Sequence, residues 1–155
     1  MRVAFAADHA GWPLRGRLIR EIADLGHVVV DCGAAAVQPG DDYPDVAEAV
    51  GRALQGGLAE RGLVVCGSGV GAAVASNKMA GIRACTCHDS FSARQGVEDD
   101  DLNVLCLGAR VVGEELAVEV LRDFLGAQFS GLERHVRRVA KVAALERSGR
   151  GASTH

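Results

Sequence analysis

The sequence is poor in aromatic residues and in proline, and it lacks a long apolar run. Aromatic side chains make up 4% of the 155 residues and there are 3 prolines, against 20 glycines. This balance is typical of a soluble protein in which turns and close backbone approaches matter more than aromatic packing. The opening stretch MRVAFAADHAG has no apolar segment of the length that a signal peptide or a membrane helix needs. We therefore expect no membrane partner.

Neither sign of charge dominates the chain. The formal net charge is -3 at pH 7, so there is no overall attraction to nucleic acid or to an anionic membrane. We expect no nucleic-acid partner, whereas a small anionic ligand could bind where positive charge is locally concentrated. The 5 cysteines are an odd number, and without a signal peptide they predict free thiols in a reduced, cytoplasmic protein.

Metal-ligand spacing is also missing. Cys85, Cys87 and His88 form Cys-x-Cys-His, which lacks the paired spacing of a zinc site. The acidic runs at 98–101 and 41–42 are typical of loop and cap residues. The sequence predicts no metal site.

Short apolar runs alternate with segments of helical periodicity. The runs that predict buried strands cover residues 3–7, 28–32, 63–66, 82–87 and 104–107. Helical spacing appears between them, as in Leu14, Leu18, Ile22 and Leu25. This alternation predicts an α/β fold, with a five-stranded parallel sheet covered by helices on both sides as a three-layer α/β/α sandwich.

The chain predicts one domain over residues 1–147, closed by a C-terminal helix. Ser130 and Glu133 have the Ser-x-x-Glu form of a capping box, which predicts a helix running from there to about Arg147. Its apolar stripe consists of Leu132, Val136, Val139 and Ala143. Residues 148–155 are expected to form a disordered tail.

Polar groups follow four of the predicted strands. They are residues 8–9, the loop after Cys66, residues 88–89 and Arg110. Ligands of parallel sheets bind beyond the carboxyl ends of the strands, so we expect these groups to lie together around a site.

The stretch VVCGSGVGAA, residues 64–73, is the most informative part of the chain. It is not a P-loop, because Lys78 follows Asn77 and no Gly-Lys-Ser/Thr occurs, and it is not a hydrolase elbow, because Cys66 stands two residues before Ser68. A strand that ends in cysteine and is followed by glycines instead presents backbone amides at a helix start. Such amides bind anions and favour a thiolate.

Two other interpretations of this stretch remain open at this point. Cys66 could be a buried cysteine that packs as a small apolar residue. Alternatively, Gly67, Gly69 and Ala72 fit a relaxed dinucleotide fingerprint, with Asp89 at the next strand end. That alternative would make the chain a non-catalytic nucleotide-binding or sugar-phosphate-binding protein.

Two further pairs could contact an anionic ligand. Asp8 and His9 could bind a hydroxyl and an anion, or could simply cap the helix that follows. Arg134 and Arg138 share one face of the last helix, where Arg134 is unfavourable to the helix dipole unless an anion is bound nearby. A solvated basic face is the alternative for these arginines.

The motifs taken together resemble the type B ribose-5-phosphate isomerases, a family that includes galactose-6-phosphate isomerase subunits. The matching motifs are DHAG at 8–11, DYP at 42–44, CGSGVG at 66–71, SNK at 76–78 with GIR at 81–83, NVL at 103–105 with GARVVG at 108–113, and RH at 134–135 with Arg138. The resemblance implies a Rossmann-like domain without a metal or organic cofactor. It also implies a homodimer with active sites at the subunit interface, with a tetramer as the alternative.

The resemblance also implies roles for residues at the matching positions. Cys66 would transfer the proton, and Ser68 with the amides of the loop would stabilise the enediolate. The implied loop residues are Gly67, Gly69, Val70 and Gly71. The implied substrate contacts are Asp8 for hydroxyls, Tyr43 along the site, and His9, Arg110, Arg134 and Arg138 for the phosphate.

One position departs from the family pattern. The segment before Asn103 normally carries a histidine, commonly followed by asparagine, and that histidine is thought to help open the furanose ring. Asp99 and Asp100 occupy these positions here. Asp99 is the candidate replacement as a catalytic residue, provided that burial or its acidic neighbours raise its pKa, and His88 from the next loop is the alternative. Asp100 is a candidate substrate-binding residue.

The expected activity is aldose–ketose isomerisation of a phosphorylated sugar, D-ribose 5-phosphate to D-ribulose 5-phosphate. The alternative is a tetrose 4-phosphate or another sugar phosphate. A tetrose with phosphate on O4 cannot close a furanose, so its isomerase would not need a ring opener.

Overall fold

The computed structural model describes residues 1–151, with side chains for residues 1–149. Its strands are β1 (Arg2–Ala7), β2 (Val28–Asp31), β3 (Arg61–Cys66), β4 (Ala84–Thr86) and β5 (Val104–Gly108). Its helices are α1 (Trp12–Asp24), α2 (Tyr43–Gln55), α3 (Val70–Ser76), α4 (Ser90–Asp100), α5 (Glu114–Gly126) and α6 (Glu133–Gly151). The predicted α/β class and the five strands are confirmed.

The five strands form one parallel sheet in the order β2-β1-β3-β5-β4. The chain moves from β1 outward to β2 and then returns to β3 on the other side of β1. Sequence neighbours therefore diverge between β1 and β3, and ligands of open α/β sheets bind at such a point, beyond the carboxyl ends of the strands. This is the Rossmann-like arrangement that the sequence resemblance implied.

Alternation along the strands builds two cores. In β1, Val3, Phe5 and Ala7 pack against α1, α4 and α5, whereas Ala4 and Ala6 face α2 and α3. Strands that are buried on both faces need apolar residues at every position, which explains the continuous apolar runs in the sequence. The result is the predicted three-layer sandwich.

The C-terminal helix differs in detail from its prediction. No capping box forms, because the Ser130 hydroxyl lies 2.6 Å from Nδ1 of His135, and α6 begins only at Glu133. The helix also continues past Arg147 to Gly151, so residues 148–151 are helical where a tail was expected. The remaining part of that expected tail, residues 152–155, lies outside the described residues.

Within residues 1–151, no helix combines the length and the apolar character that crossing a membrane requires.

Candidate active site

The carboxyl edge of the sheet brings the four predicted polar groups together. The Asp8 amide donates to Val65 O at 3.1 Å, and the amides of Ala109 and Arg110 donate to Cys66 O and Gly67 O at 2.8 and 3.0 Å. The segments after β1, β3 and β5 are thus tied to one another by backbone hydrogen bonds. The predicted grouping at this edge is confirmed.

Cys66 ends β3 and contacts its own loop. Its sulfur accepts a hydrogen bond from the Gly69 amide at 3.1 Å, and Gly69 adopts a left-handed backbone with φ of +80°. Cys66 is 5% exposed and belongs to the apolar cluster under α2 and α3. The apolar interpretation therefore describes its surroundings correctly, but the Gly69 amide gives its sulfur a polar partner.

Close packing fixes the position of the loop. A Cβ atom on Gly108 would lie 2.5 Å from the carbonyl carbon of Ser68, and one on Gly71 would lie 2.8 Å from the ring of Tyr43. At Gly108 only glycine permits the approach, because the neighbouring atoms belong to the backbone, whereas a side chain at position 71 would displace the Tyr43 ring. Tyr43, which begins α2, thus lies against the start of α3 with 43% of its surface exposed.

Residues of the edge strand also support the loop. The Thr86 hydroxyl donates to Gly69 O at 2.9 Å, and the Gly108 amide donates to Nε2 of His88 at 3.0 Å. Asp89 accepts from the Ser92 amide at 2.7 Å, a hydrogen bond that lowers the pKa of its carboxyl. Asp89 is thus the N-cap of α4, so the acid that a dinucleotide site would need for the ribose is already engaged.

Asp8 and His9 both form hydrogen bonds within their own chain. An Asp8 oxygen accepts from the Gly11 amide at 2.8 Å, which stabilises the turn into α1. One oxygen of Asp41 lies 2.6 Å from Nδ1 of His9 and also accepts from the His9 amide at 3.0 Å. The sequence analysis assigned Asp41 to a loop and gave it no role. The two residues are 32 positions apart, and no sequence pattern near either of them shows that the loop returns to the end of β1.

The remaining predicted residues lie at the other edge of the sheet. Helix α4 starts beside the carboxyl ends of the strands and runs back for 11 residues, about 16 Å. Its last turn, with Asp99 and Asp100, is therefore at the amino edge, where Asp101 pairs with Arg83 just before β4 at 2.6 Å. The predicted site residues thus form two separate groups within one chain.

We name these groups by their contents. The thiol cluster comprises Asp8, His9, Tyr43, residues 66–71 and Arg110. The α4–α6 cluster comprises Asp99, Asp100, Arg134, His135 and Arg138.

His135 links the members of the α4–α6 cluster. It is 3% exposed, its Nδ1 lies 2.6 Å from the Ser130 hydroxyl and 3.4 Å from Oδ1 of Asp99, and its Nε2 lies 3.0 Å from Nε of Arg134. Sequence reasoning quoted His135 within a motif but gave it no role. Arg138 is exposed one turn further along α6.

A groove of about 880 Å³ adjoins this cluster. Its walls include Ile82, Leu102, Val139, Val142, Leu145 and Asp100. Val142 and Leu145 are 51% and 72% exposed, which is high for large apolar side chains. Among the described residues, no three His, Cys, Asp or Glu side chains group as metal ligands.

Comparison with known proteins gives the family. The profile described as Ribose/Galactose Isomerase matches residues 3–142. Ribose-5-phosphate isomerase B of Escherichia coli K12 is 40% identical over 145 residues, which cover 94% of this chain and 96% of the relative. D-erythrulose-4-phosphate isomerase 2 of Mycolicibacterium smegmatis is 35% identical over 148 residues, which cover 94% and 97%.

Solved structures agree with this assignment. The type B ribose 5-phosphate isomerase of Trypanosoma cruzi superposes with a TM-score of 0.92 at 39% identity, covering 96% of this chain and 99% of that one. The ribose-5-phosphate isomerase B of Clostridium thermocellum gives a TM-score of 0.91 at 38% identity, with coverage of 96% and 99%. The chain therefore belongs to the ribose/galactose isomerase family of sugar-phosphate isomerases.

Proposed function

We propose that this protein interconverts D-ribose 5-phosphate and D-ribulose 5-phosphate, with Cys66 as the base that moves the proton. The observation that carries this proposal is the thiol at the end of β3, whose sulfur lies 3.1 Å from the Gly69 amide of the glycine loop that follows it. The relatives named ribose-5-phosphate isomerase B support the choice of pentose phosphate.

Aldose–ketose isomerisation needs one base on one face of the substrate. The Cys66 thiolate takes the proton from C2 of the aldose and returns it to C1, and the intermediate is an enediolate. The amides of Gly67 to Gly71 and the Ser68 hydroxyl are donors for the oxygen that becomes negative. Asp8 binds the hydroxyls of the sugar and Tyr43 lines the site.

Phosphate binding supplies orientation. His9 and Arg110 lie in the thiol cluster, where Nη1 of Arg110 is 3.5 Å from the position that a Cβ on Gly67 would take. With Arg134 and Arg138 they would bind the phosphate through charge-assisted hydrogen bonds, which are stronger than neutral ones. Binding energy far from the reacting carbons holds C1 and C2 near the sulfur.

We further propose a homodimer whose active sites lie at the subunit interface, with a tetramer as the alternative. This proposal is supported by the distance between the two clusters, because the thiol cluster and the α4–α6 cluster lie at opposite ends of α4. A second copy can bring its α4–α6 cluster to the thiol cluster of the first. The exposed apolar residues around both clusters suit such an interface, among them Val70 at 58%, Val74 at 56% and Phe91 at 60% exposure.

A tetrose 4-phosphate is the second candidate substrate, and the surroundings of Asp99 favour it. Asp99 stands where the family pattern has its ring-opening histidine, and its Oδ1 lies 3.4 Å from Nδ1 of His135 in its own chain. A substrate that cannot cyclise to a furanose needs no such donor. Two relatives are named as erythrulose-4-phosphate isomerases.

A substrate panel tests both candidates. We expect aldose–ketose interconversion of D-ribose 5-phosphate, measured as kcat/KM against D-erythrose 4-phosphate under the same conditions. A preference of more than about tenfold for the tetrose would replace the pentose assignment, since tenfold corresponds to about 1.4 kcal/mol of transition-state binding.

A cysteine variant tests the mechanism. We expect Cys66→Ala to lower kcat by about 10²- to 10⁴-fold, the usual contribution of a positioned base, while inorganic phosphate still binds. Cys32→Ala, at a half-buried thiol after β2, is the matched control and should retain full activity. Turnover retained in Cys66→Ala would remove the proposed base, and no turnover of any sugar phosphate by the wild type would favour a binding protein.

A further inference from the structure

We propose that Asp99 is a positioning residue for the substrate phosphate, acting through the imidazole of His135 on the guanidinium of Arg134. This inference rests on the proposed function only for the assignment of Arg134 to the phosphate. It gives the aspartate at the family's histidine position a role that needs no proton transfer to the sugar.

The first step is the contact between Arg134 and His135. Nε of an arginine carries a hydrogen and can only donate, so the acceptor at 3.0 Å must be an unprotonated Nε2 of His135. A neutral imidazole with a free Nε2 carries its proton on Nδ1. The contact with Arg134 therefore requires one particular tautomer of His135.

The second step is what stabilises that tautomer. Nδ1 of His135 faces the Ser130 hydroxyl at 2.6 Å and an oxygen of Asp99 at 3.4 Å. The Ser130 hydroxyl is the hydrogen-bond partner of Nδ1, and the negative charge of Asp99 at 3.4 Å favours a proton on the nitrogen that faces it. His135 is 3% exposed, so water competes little for either nitrogen. A carboxylate behind an imidazole fixes the orientation of histidines in metal sites and in catalytic triads by the same physics.

The third step is the consequence for phosphate. Arg134 is an exposed side chain in the first turn of α6, and an exposed arginine would otherwise sample many rotamers. With Nε held by His135, the two terminal nitrogens keep their four N–H groups for a bidentate contact with an oxyanion. Holding the guanidinium before the ligand arrives lowers the entropy lost on binding.

Charge makes the prediction sharp, because the two possible effects of Asp99 have opposite signs. A carboxylate near an anion site repels phosphate, so its removal should tighten binding if only long-range charge matters. If Asp99 orients Arg134 through His135, its removal should weaken binding. Glu133→Gln is the matched control, since Glu133 is 97% exposed in the same turn as Arg134 and its removal tests charge alone.

The experiment measures the affinity of the full-length protein for inorganic phosphate by titration calorimetry. We expect Asp99→Ala to weaken phosphate binding by about 3- to 10-fold. The phosphate affinity of Asp99→Asn should lie between those of Asp99→Ala and wild type. Glu133→Gln should bind phosphate as tightly as wild type or more tightly. In the isomerase assay, Asp99→Ala should raise KM by a similar factor and leave kcat within about twofold. Thermal unfolding shows whether the variants are folded. We expect them to fold, because the Asp99 side chain is 32% exposed and its replacement leaves no buried cavity.

A double-mutant cycle separates orientation of Arg134 from a general structural effect. In an Arg134→Ala background, Asp99→Ala should cause no further loss of phosphate affinity, because the residue that it orients is gone. Unchanged or tighter phosphate binding by Asp99→Ala alone, or an equal loss in both backgrounds, would overturn the inference. If Arg134→Ala itself binds phosphate normally, the phosphate assignment in the proposed function fails, and this inference fails with it.

Discussion

At the scale of single residues, neighbouring groups can give two side chains of the same type very different pKa values, as in Cys85 and Cys87. Cys85 lies in β4 and Cys87 directly follows the end of this strand, and all five cysteines of the chain are free thiols. The hydrogen bond from Cys87 lowers the pKa of the exposed Cys85 to about 7, whereas the same contact raises the pKa of the buried Cys87. We therefore expect Cys85, which the proposed mechanism does not use, to be alkylated more readily than Cys87.

This thiol pair gives a prediction for alkylation. The thiolate is the reactive form, so the rate at which iodoacetamide modifies Cys85 should rise with pH around a midpoint near 7. Cys87→Ala removes the hydrogen bond and should move that midpoint upward. Cys32, whose pKa is raised by burial, is the internal control and should react only at higher pH. Peptide mass spectrometry reads both sites in one sample, and a midpoint unchanged in Cys87→Ala would contradict the assigned cause.

At the scale of elements, one buried carboxylate joins two helices that cover the same face of the sheet. Glu21 of α1 is 3% exposed and accepts hydrogen bonds at 2.6 Å from Arg122 of α5 and from Arg17 of its own helix. These hydrogen bonds, that of Arg122 first, lower the pKa of Glu21 below its ordinary value of 4.5. The stabilisation is therefore fully present above pH 4.5 and is lost as the pH falls through the lowered pKa.

Replacement of this carboxylate should weaken the contact between α1 and α5. We expect Glu21→Gln to lower the free energy of unfolding by about 1–3 kcal/mol at pH 7, the usual size for hydrogen bonds to a charged group. Urea unfolding at a series of pH values should show the difference from wild type shrinking below pH 4.5. Glu48→Gln, which breaks an exposed pair with Arg52 within α2, should cost less than about 0.5 kcal/mol. A difference that is independent of pH would contradict the ionic origin.

At the scale of the whole molecule, the direction of α4 decides where the active site can be assembled. The helix begins at the edge of the sheet that holds Cys66 and ends at the opposite edge with Asp99 and Asp100. One chain thus holds two separate groups of the proposed site residues, and in the proposed dimer each group would be completed by the other copy. A symmetric dimer would contain two identical composite sites.

Complementation between inactive variants tests this arrangement. Cys66→Ala and the double variant Arg134→Ala with Arg138→Ala should each be inactive alone. In a heterodimer of the two, one composite site has an intact Cys66 from one chain and intact arginines from the other. Co-expression with random pairing should therefore restore about a quarter of wild-type activity, since half of the dimers are mixed and each has one intact site of two.

Absence of complementation would contradict the proposed shared site. If all site residues came from one chain, no combination of these two variants would restore turnover. Size-exclusion chromatography with light scattering identifies dimers or tetramers, and two affinity tags isolate the mixed species.

The amino-acid sequence by itself determined the elements and the half of the site that is local to the chain. Apolar periodicity predicted the five strands and their helices, and the signal has a direct cause in β1, β3 and β5, because burial on both faces leaves a continuous apolar run. The Cys66 loop could be found for a similar reason, since a strand end, glycines and a helix start adjoin each other in the chain.

Only the tertiary structure decided which distant groups meet. The contact of Asp41 with His9, that of Ser130 and Asp99 with His135, and the bridge from Glu21 to Arg122 all join segments whose proximity depends on packing. The predicted cap at Ser130 was wrong for this reason, because a buried imidazole competes successfully for its hydroxyl. The proposed site residues lie at two edges of the sheet because α4 runs from one edge to the other. No local sequence pattern shows the direction in which this helix packs.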